Sequence, residues 1–400
     1  MRLGPGAWIG LLMGALTMPA VPADEPRSPF PLGPELQNVP IEQIEKAFEG
    51  KTAPEAIRMY LTIAKDERMG PDKGWFGPSQ SRYSWEWLDK HSRRDQQQAG
   101  ILRDAFNGPP EWFDRLDRNR DGTITPSDLD WSDDNPWVEH SYVATRLFRQ
   151  MNSTGDGRLT REQWIAFFDE AAGGKEVLTL SEARSYWLRG LGGAFLPGDA
   201  PTKEMLLAGL FSGELGSVHE GPALGAKAPD FQLKTPDGLA TIRLADYLGG
   251  KPILLVFGNF TCPPFRALSV EVDEIARRYR DHVTTLGVYV REAHPTDGWK
   301  MQSNERVGVS VSQPTSLTER ANVAKQCFAR IKPSFLWGVD DVNDATGHAY
   351  SGMPARLYIL DPQGTVLYKS GRGPFGFKPG EMEQALVMTL LDATLKSAAE

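Results

Sequence analysis

Two cysteines are the residues of this 400-residue chain best suited to covalent chemistry. Cys262 follows the apolar run 252–260. After it, Pro263-Pro264 opens a stretch in which Phe265, Leu268, Val272, Ile275 and Tyr279 recur at three- and four-residue steps. That spacing predicts a strand passing into an amphipathic helix, with the thiol at the turn. The amides and positive dipole end of such a helix favour a thiolate, so Cys262 is expected to have a lowered pKa and to act as a nucleophile. The plainer reading is a buried, inert thiol. Cys327 falls on a helix expected over 318–331, where two roles are open: a resolving thiol that attacks oxidised Cys262, or a core cysteine on an apolar face.

A second chemistry is written in oxygen donors. Asp117, Asn119, Asp121 and Asp128 fall at positions 1, 3, 5 and 12 of a twelve-residue loop. Gly122 stands at the sharp turn, Thr123 at the carbonyl position and Ile124 at the small pairing strand, which is the EF-hand pattern for Ca²⁺. Position 12 is Asp rather than Glu, a shorter reach to the ion. A second loop places Asn152, Thr154, Asp156 and Arg158 at the corresponding positions but ends on Gln163; it is read either as a further Ca²⁺ site or as a structural relic. A third remnant, 173–182, is expected only to pack.

These groups need elements to hold them. Residues 1–23 carry Arg2, an apolar run and Val21-Pro22-Ala23, and are read as an export signal, giving a periplasmic or extracellular protein with no membrane span in the mature chain. Prolines 26, 29, 31, 34 and 40 mark a tether that leads into helical spacing, so 24–100 is taken as tether and helices. An all-α EF-hand region is expected over 101–195, and a Gly-rich connection over 196–224 that either swings freely or docks the halves. From 225 to 396 apolar runs alternate with amphipathic helices. Their order, opened by a hairpin around Pro236-Asp237-Gly238, predicts an α/β thioredoxin-like domain, with Met353-Pro354 where that fold commonly puts a cis proline facing its cysteine.

Four ordered motifs in this region resemble the iodothyronine deiodinase family. They are Asn259-Phe-Thr-Cys-Pro-Pro-Phe265, Val288-Tyr-Val-Arg-Glu-Ala-His294 with Asp297-Gly-Trp299, Pro354-Ala-Arg-Leu-Tyr-Ile359 and Gly373-Pro-Phe375. The resemblance implies that Cys262 replaces a selenocysteine that attacks iodine. It also implies that Glu292 and His294 handle protons or orient substrate, and that Arg356, Pro354 and Thr261 contact it. The expected partners are a halogenated aromatic and a thiol reductant. Phe260 stands where animal members usually carry a nearby cysteine, and Pro314 where a second histidine is expected.

Composition bounds the alternatives. A net charge of −8 with scattered Lys and Arg excludes a nucleic-acid binder, and no organic cofactor motif is present. Thioredoxin-type disulfide exchange lacks its CxxC pair. A peroxiredoxin-like thiol peroxidase acting on peroxide shares the fold, but its Pro and Thr/Ser positions are Leu255 and Asn259 here. A calcium- and redox-sensing binding module without turnover is the non-enzymatic alternative.

Overall fold

The computed structural model describes residues 34–67, 76–95, 97–189, 195–196 and 198–399. The export signal expected over 1–23 and the start of the tether lie outside the described residues. In chain order, the first part of the molecule comprises α1 (Ile41–Ala47), α2 (Glu55–Ala64), β1 (Gln80–Ser81), α3 (Trp85–Lys90), β2 (Ile101–Leu102), α4 (Pro110–Leu116), β3 (Thr123–Ile124), α5 (Pro126–Leu129), α6 (Pro136–Met151), α7 (Arg161–Ala172), α8 (Leu180–Trp187) and α9 (Lys203–Ser212). Thereafter come β4 (Gln232–Lys234), β5 (Thr241–Arg243), β6 (Ile253–Gly258), α10 (Pro263–Arg278), β7 (Thr284–Tyr289), α11 (Gln302–Arg306), α12 (Leu317–Ile331), β8 (Leu336–Val339), α13 (Ala345–Tyr350), β9 (Arg356–Leu360), β10 (Val366–Lys369) and α14 (Pro379–Ala399).

Among the described residues one sheet runs β1-β10-β9-β6-β7-β8-β4-β5. β6, β7 and β8 are parallel, while β9 pairs antiparallel with β6 from Ile253↔Leu360 to Phe257↔Arg356, and β10 returns along β9. The order β10-β9-β6-β7, with α10 crossing from β6 to β7, is the thioredoxin arrangement. β6 is buried along its whole length, as a central strand covered on both faces must be. α10 supplies the cover through Phe265, Val272 and Ile275, the periodic residues read from the sequence.

The region ahead of the sheet is bound into it. β1 adds to the β10 edge, and the ladder β2–β3 interrupts the otherwise helical 101–195 segment. Tyr83, Leu88, Ile101, Phe113, Leu116 and Ile124 share one apolar core with β6, β9 and α14. A smaller core joins α1 and α2 to Leu206, Leu210 and Val218. The connection 198–221 is therefore docked rather than swinging. Asp199 is buried, accepts the Ser303 amide at 2.9 Å and offers its carbonyl to Trp299 at 3.3 Å. Gly216 and Gly221, both at positive φ, lie where a Cβ would strike Met353 or Tyr350, so the chain presses against the loop that carries Pro354.

Candidate active site

Cys262 is the N-cap residue of α10, as the sequence spacing requires. Asn259 fastens the turn. Its side-chain oxygen accepts the Cys262 amide at 3.0 Å and lies 3.4 Å from the Ala293 amide, while its nitrogen donates to the Pro354 carbonyl at 2.9 Å. One side chain thus ties together the three segments that surround the thiol. Arg266, one turn into α10, donates to the Phe260 carbonyl and to Asn304 Oδ1 at 2.8 Å; Asn304 in turn donates to the Thr261 carbonyl at 2.7 Å. The Met353–Pro354 peptide is cis, and Pro354 faces the same space as Cys262.

That space is a cavity of about 490 Å³. Cys262, His294 and Pro354 line it together, and Trp131, Trp137, Trp299 and Phe375 give it aromatic walls. His294 has its ring edge-on to Trp299, with centroids 4.5 Å apart, and its Nδ1 lies 3.1 Å from the Trp299 carbonyl. A carbonyl can only accept, so Nδ1 carries the proton and Nε2 is left as a base. Burial holds the imidazole neutral, moving its pKa down to about 3.

The thiol itself departs from expectation. Burial pushes Cys262 up to about 11, although the Phe265 amide and the Arg266 and Arg149 guanidinium charges favour the thiolate. The helix terminus acts in the expected sense and is outweighed by desolvation, since Cys262 is only 1% exposed. His294 lines the same cavity, and at about 3 its imidazole is a far weaker base than the Cys262 thiolate.

Glu292 lies behind this surface. It accepts from the Thr261 amide at 2.8 Å, the Thr261 hydroxyl at 2.7 Å and the Tyr289 hydroxyl, and burial raises its pKa. Thr261 is the link between the pair: its hydroxyl also accepts the His294 amide at 3.0 Å. It positions His294 and Glu292 and does not line the cavity, so its expected substrate contact is corrected to a supporting one. Arg356 is corrected likewise. Its guanidinium donates to the Ser370, Glu220 and Ser351 carbonyls, and it stands outside the cavity. Cys327 is fully buried on the core face of α12 beside Val323, Ala324 and Ile331, does not line the cavity, and is free, as is Cys262.

The two loops differ in how their oxygens are engaged. In 117–128, Asp117 accepts the amides of Asp121 at 3.2 Å and Gly122 at 2.9 Å. Asp128 accepts those of Asn119 and Thr125 at 3.2 and 2.9 Å. Both carboxylates are buried and turned into the loop, whereas Asn119 and Asp121 are exposed and Thr123 pairs with Leu102. In 152–163, the Asn152 amide nitrogen sits inside and donates to Thr154 Oγ1, Asp156 Oδ1 and the Arg158 carbonyl. The rim of that loop is held by the α/β domain: Arg266 donates to the Gly155 carbonyl at 3.1 Å and Arg330 to the Thr154 carbonyl at 3.0 Å, while Arg158 reaches the Ile331 carbonyl at 3.3 Å. Gly157, at φ 76°, leaves room where a Cβ would meet the Arg266 carbonyl at 2.7 Å. Among the described residues no three His, Cys, Asp or Glu side chains gather as a metal centre.

Sequence reasoning missed Asn259, Arg266 and Arg149. The first stands inside a motif already recognised and the second one helical turn past the thiol, so both had a local signal; Arg149, on α6, had none.

With this geometry in hand, relatives can be placed against it. A family model for iodothyronine deiodinase matches residues 204–389. Thyroxine 5-deiodinase of Ovis aries is 33% identical over 166 residues, covering 41% of this chain and 54% of the relative. That of Gallus gallus is 31% identical over 219 residues, covering 52% and 82%. The chain thus spans about half the length of the mammalian relatives it matches. A thioredoxin-like protein from Aeropyrum pernix superposes with a TM-score of 0.28 and 20% identity, over 39% of this chain and 88% of its own. The matched span contains Cys262, His294, Glu292 and Pro354 in one folded unit, and the chain belongs to the iodothyronine deiodinase family.

Proposed function

We propose that this protein is an exported, thiol-dependent reductive dehalogenase of iodinated aromatics, with Ca²⁺ held in the loop 117–128. The observation that carries the reading is the shared lining of one aromatic cavity by Cys262, His294 and Pro354. An aromatic ring fits between Trp and Phe walls, which contribute apolar area and favourable ring geometry.

The chemistry follows from the protonation states. Cys262 keeps its proton until substrate is bound, and the Phe265 amide with the nearby guanidinium groups stabilises the charge that develops on sulfur as that proton leaves. The thiolate attacks iodine. The S–I bond forms as the C–I bond breaks, the bonding pair stays on the ring carbon, and the proton that left Cys262 ends on that carbon. An external thiol then displaces iodide to give a mixed disulfide, and a second equivalent releases Cys262 and leaves as its own disulfide. No cysteine of this chain is needed for that reset, which suits a Cys327 enclosed in the core.

Asp117, Asn119, Asp121, Asp128 and the Thr123 carbonyl would hold the Ca²⁺, whose chemistry is to neutralise the turned-in carboxylates and stiffen the α4–α5 pair. The loop 152–163 is assigned no cation, because Asp156 is the one carboxylate at its ligand positions and the Asn152 amide nitrogen is turned inward.

The test is turnover of iodothyronines, iodotyrosines and hydrogen peroxide by the full chain with a thiol reductant, with and without Ca²⁺, beside Cys262→Ser. Iodide release that depends on Cys262 is expected. Peroxide consumption without iodide release would replace this reading with a thiol peroxidase, and absence of any turnover would leave a binding module. Calorimetric titration with Ca²⁺ is expected to give heat that Asp117→Asn removes.

A further inference from the structure

The cavity that holds Cys262 is not enclosed by the family-matched span alone. Its roof is α6, which lies outside residues 204–389 and sends Trp137, Tyr142, Arg146 and Arg149 into the lining. α6 is capped at its start and tethered near its middle. The Asn135 side chain caps it by accepting the Trp137 amide at 3.0 Å, and the Tyr142 hydroxyl donates to the Phe375 carbonyl at 3.1 Å on the opposite wall. Arg118 lies over the Trp131 and Trp137 rings, 4.9 and 4.8 Å from their centroids, and steadies the aromatic corner.

Charge in this roof is unevenly satisfied. Lys378 is engaged by the Trp131 carbonyl at 2.6 Å, with Asp133 at 4.0 Å. Arg149 has its ion-pair partner, Asp199, at 3.9 Å, beyond hydrogen-bond reach, and the Asp199 oxygen on that side is buried without a hydrogen bond. Asp199 is fixed by its bond from the Ser303 amide, so the gap is held by the fold. A guanidinium beside a cavity, partly buried and loosely paired, is a ready site for an oxyanion, which it can bind with two parallel N–H donors. Two arginines exert a field on both reactive groups, Cys262 and His294, namely Arg149 and Arg266. Arg266 is engaged with Phe260, Asn304 and Gly155 and does not line the cavity; Arg149 does.

We infer that Arg149 is a substrate-specificity residue: its guanidinium binds an oxyanion of an aromatic substrate, phenolate or carboxylate, while the ring lies among the aromatic walls beside Cys262. The inference rests on the dehalogenase reading for the identity of the substrate, but not for the existence of the site. It places selection of the substrate in the N-terminal region and its chemistry in the α/β domain. A neutral iodoarene would enter the same walls and leave Arg149 unmatched.

The experiment measures binding rather than turnover, by calorimetry on the full chain carrying Cys262→Ser, with four probes: 2,6-diiodophenol, its methyl ether 2,6-diiodoanisole, 3-iodobenzoate and 3-iodotyrosine. Adding Arg149→Gln is expected to weaken the oxyanion probes by about tenfold or more, the loss of a charge-assisted hydrogen bond, and to leave the anisole within about twofold. Arg149→Lys should recover part of the loss. Selective weakening of the phenol identifies a phenolate site, and of the benzoate a carboxylate site; either supports the assignment. Retained anisole affinity in Arg149→Gln shows that the cavity is intact. Equal weakening of all four probes, or of none, overturns the role of Arg149 while the dehalogenase reading stands. Failure of every probe to bind the chain with Arg149 present overturns that reading and the assignment with it.

Discussion

The N-terminal end of α10 and the middle of α12 each bury one cysteine, and the two surroundings differ in a way that sorts chemistry from packing. Both thiols are nearly inaccessible to solvent, and burial raises the pKa of both. Cys262, however, faces a cavity, takes an amide from Phe265 and shares its space with a neutral imidazole. Cys327 faces Ala324, Ile331 and the sheet. Two thiols at the same depth thus differ in what stands beside them, and only one has space for a ligand.

The largest effect that would sharpen this contrast is Cys262→Ser, expected to lower iodide release by about a thousandfold or more with the fold retained, as loss of a nucleophile does. Comparable iodide release by the variant would erase the distinction. Next in size is alkylation of Cys262 by iodoacetamide, whose rate should climb with pH toward about 11 without levelling near neutrality. A plateau at pH 7 would show that the helix terminus outweighs burial after all. Cys327 should stay unlabelled under the same conditions, as peptide mass mapping would reveal.

Cys327→Ala should cost about 1 kcal/mol in urea unfolding, the loss of one small buried group, and leave turnover within about threefold. A turnover loss matching that of Cys262→Ser would restore the resolving role. A separate effect concerns His294. Its folded pKa of about 3 lies below the unfolded value of 6.5, so its contribution to stability is complete above pH 6.5 and is lost as pH falls toward 3. His294→Gln should flatten the stability profile across that window, and an unchanged slope would mean that the imidazole is not held neutral.

Much of the α/β domain was legible because its signals are local. The repeat Phe265, Leu268, Val272, Ile275, Tyr279 marks α10, and the helix expected over 318–331 coincides with α12 to within one residue. The apolar run 252–260 contains β6. What escaped depends on residues far apart in sequence. Thr261 and Arg356 look equally fit to meet a substrate until the fold shows one beneath the surface with Glu292 and the other among backbone carbonyls. The balance between helix amides and desolvation at Cys262 is settled by its burial within the core, which only the fold reveals. The loop 152–163 shows its missing carboxylates in sequence. Its clamp by Arg266 and Arg330 pairs positions more than a hundred residues apart, and no spacing rule reaches that far.

Glu55 on α2 and Arg372 beyond β10 form an ion pair at 2.6 Å, with both side chains almost entirely buried. Arg372 also donates to the Ser217 carbonyl at 2.7 Å and the Ser351 hydroxyl at 2.6 Å. A fragment trimmed to the family-matched span would keep the guanidinium and lose its carboxylate. An orphaned interior charge costs about 3–5 kcal/mol, a large part of the roughly 5–15 kcal/mol that holds an ordinary domain folded. The N-terminal helices are in that sense an internal counterion, and the family-matched half inherits its foldability from them.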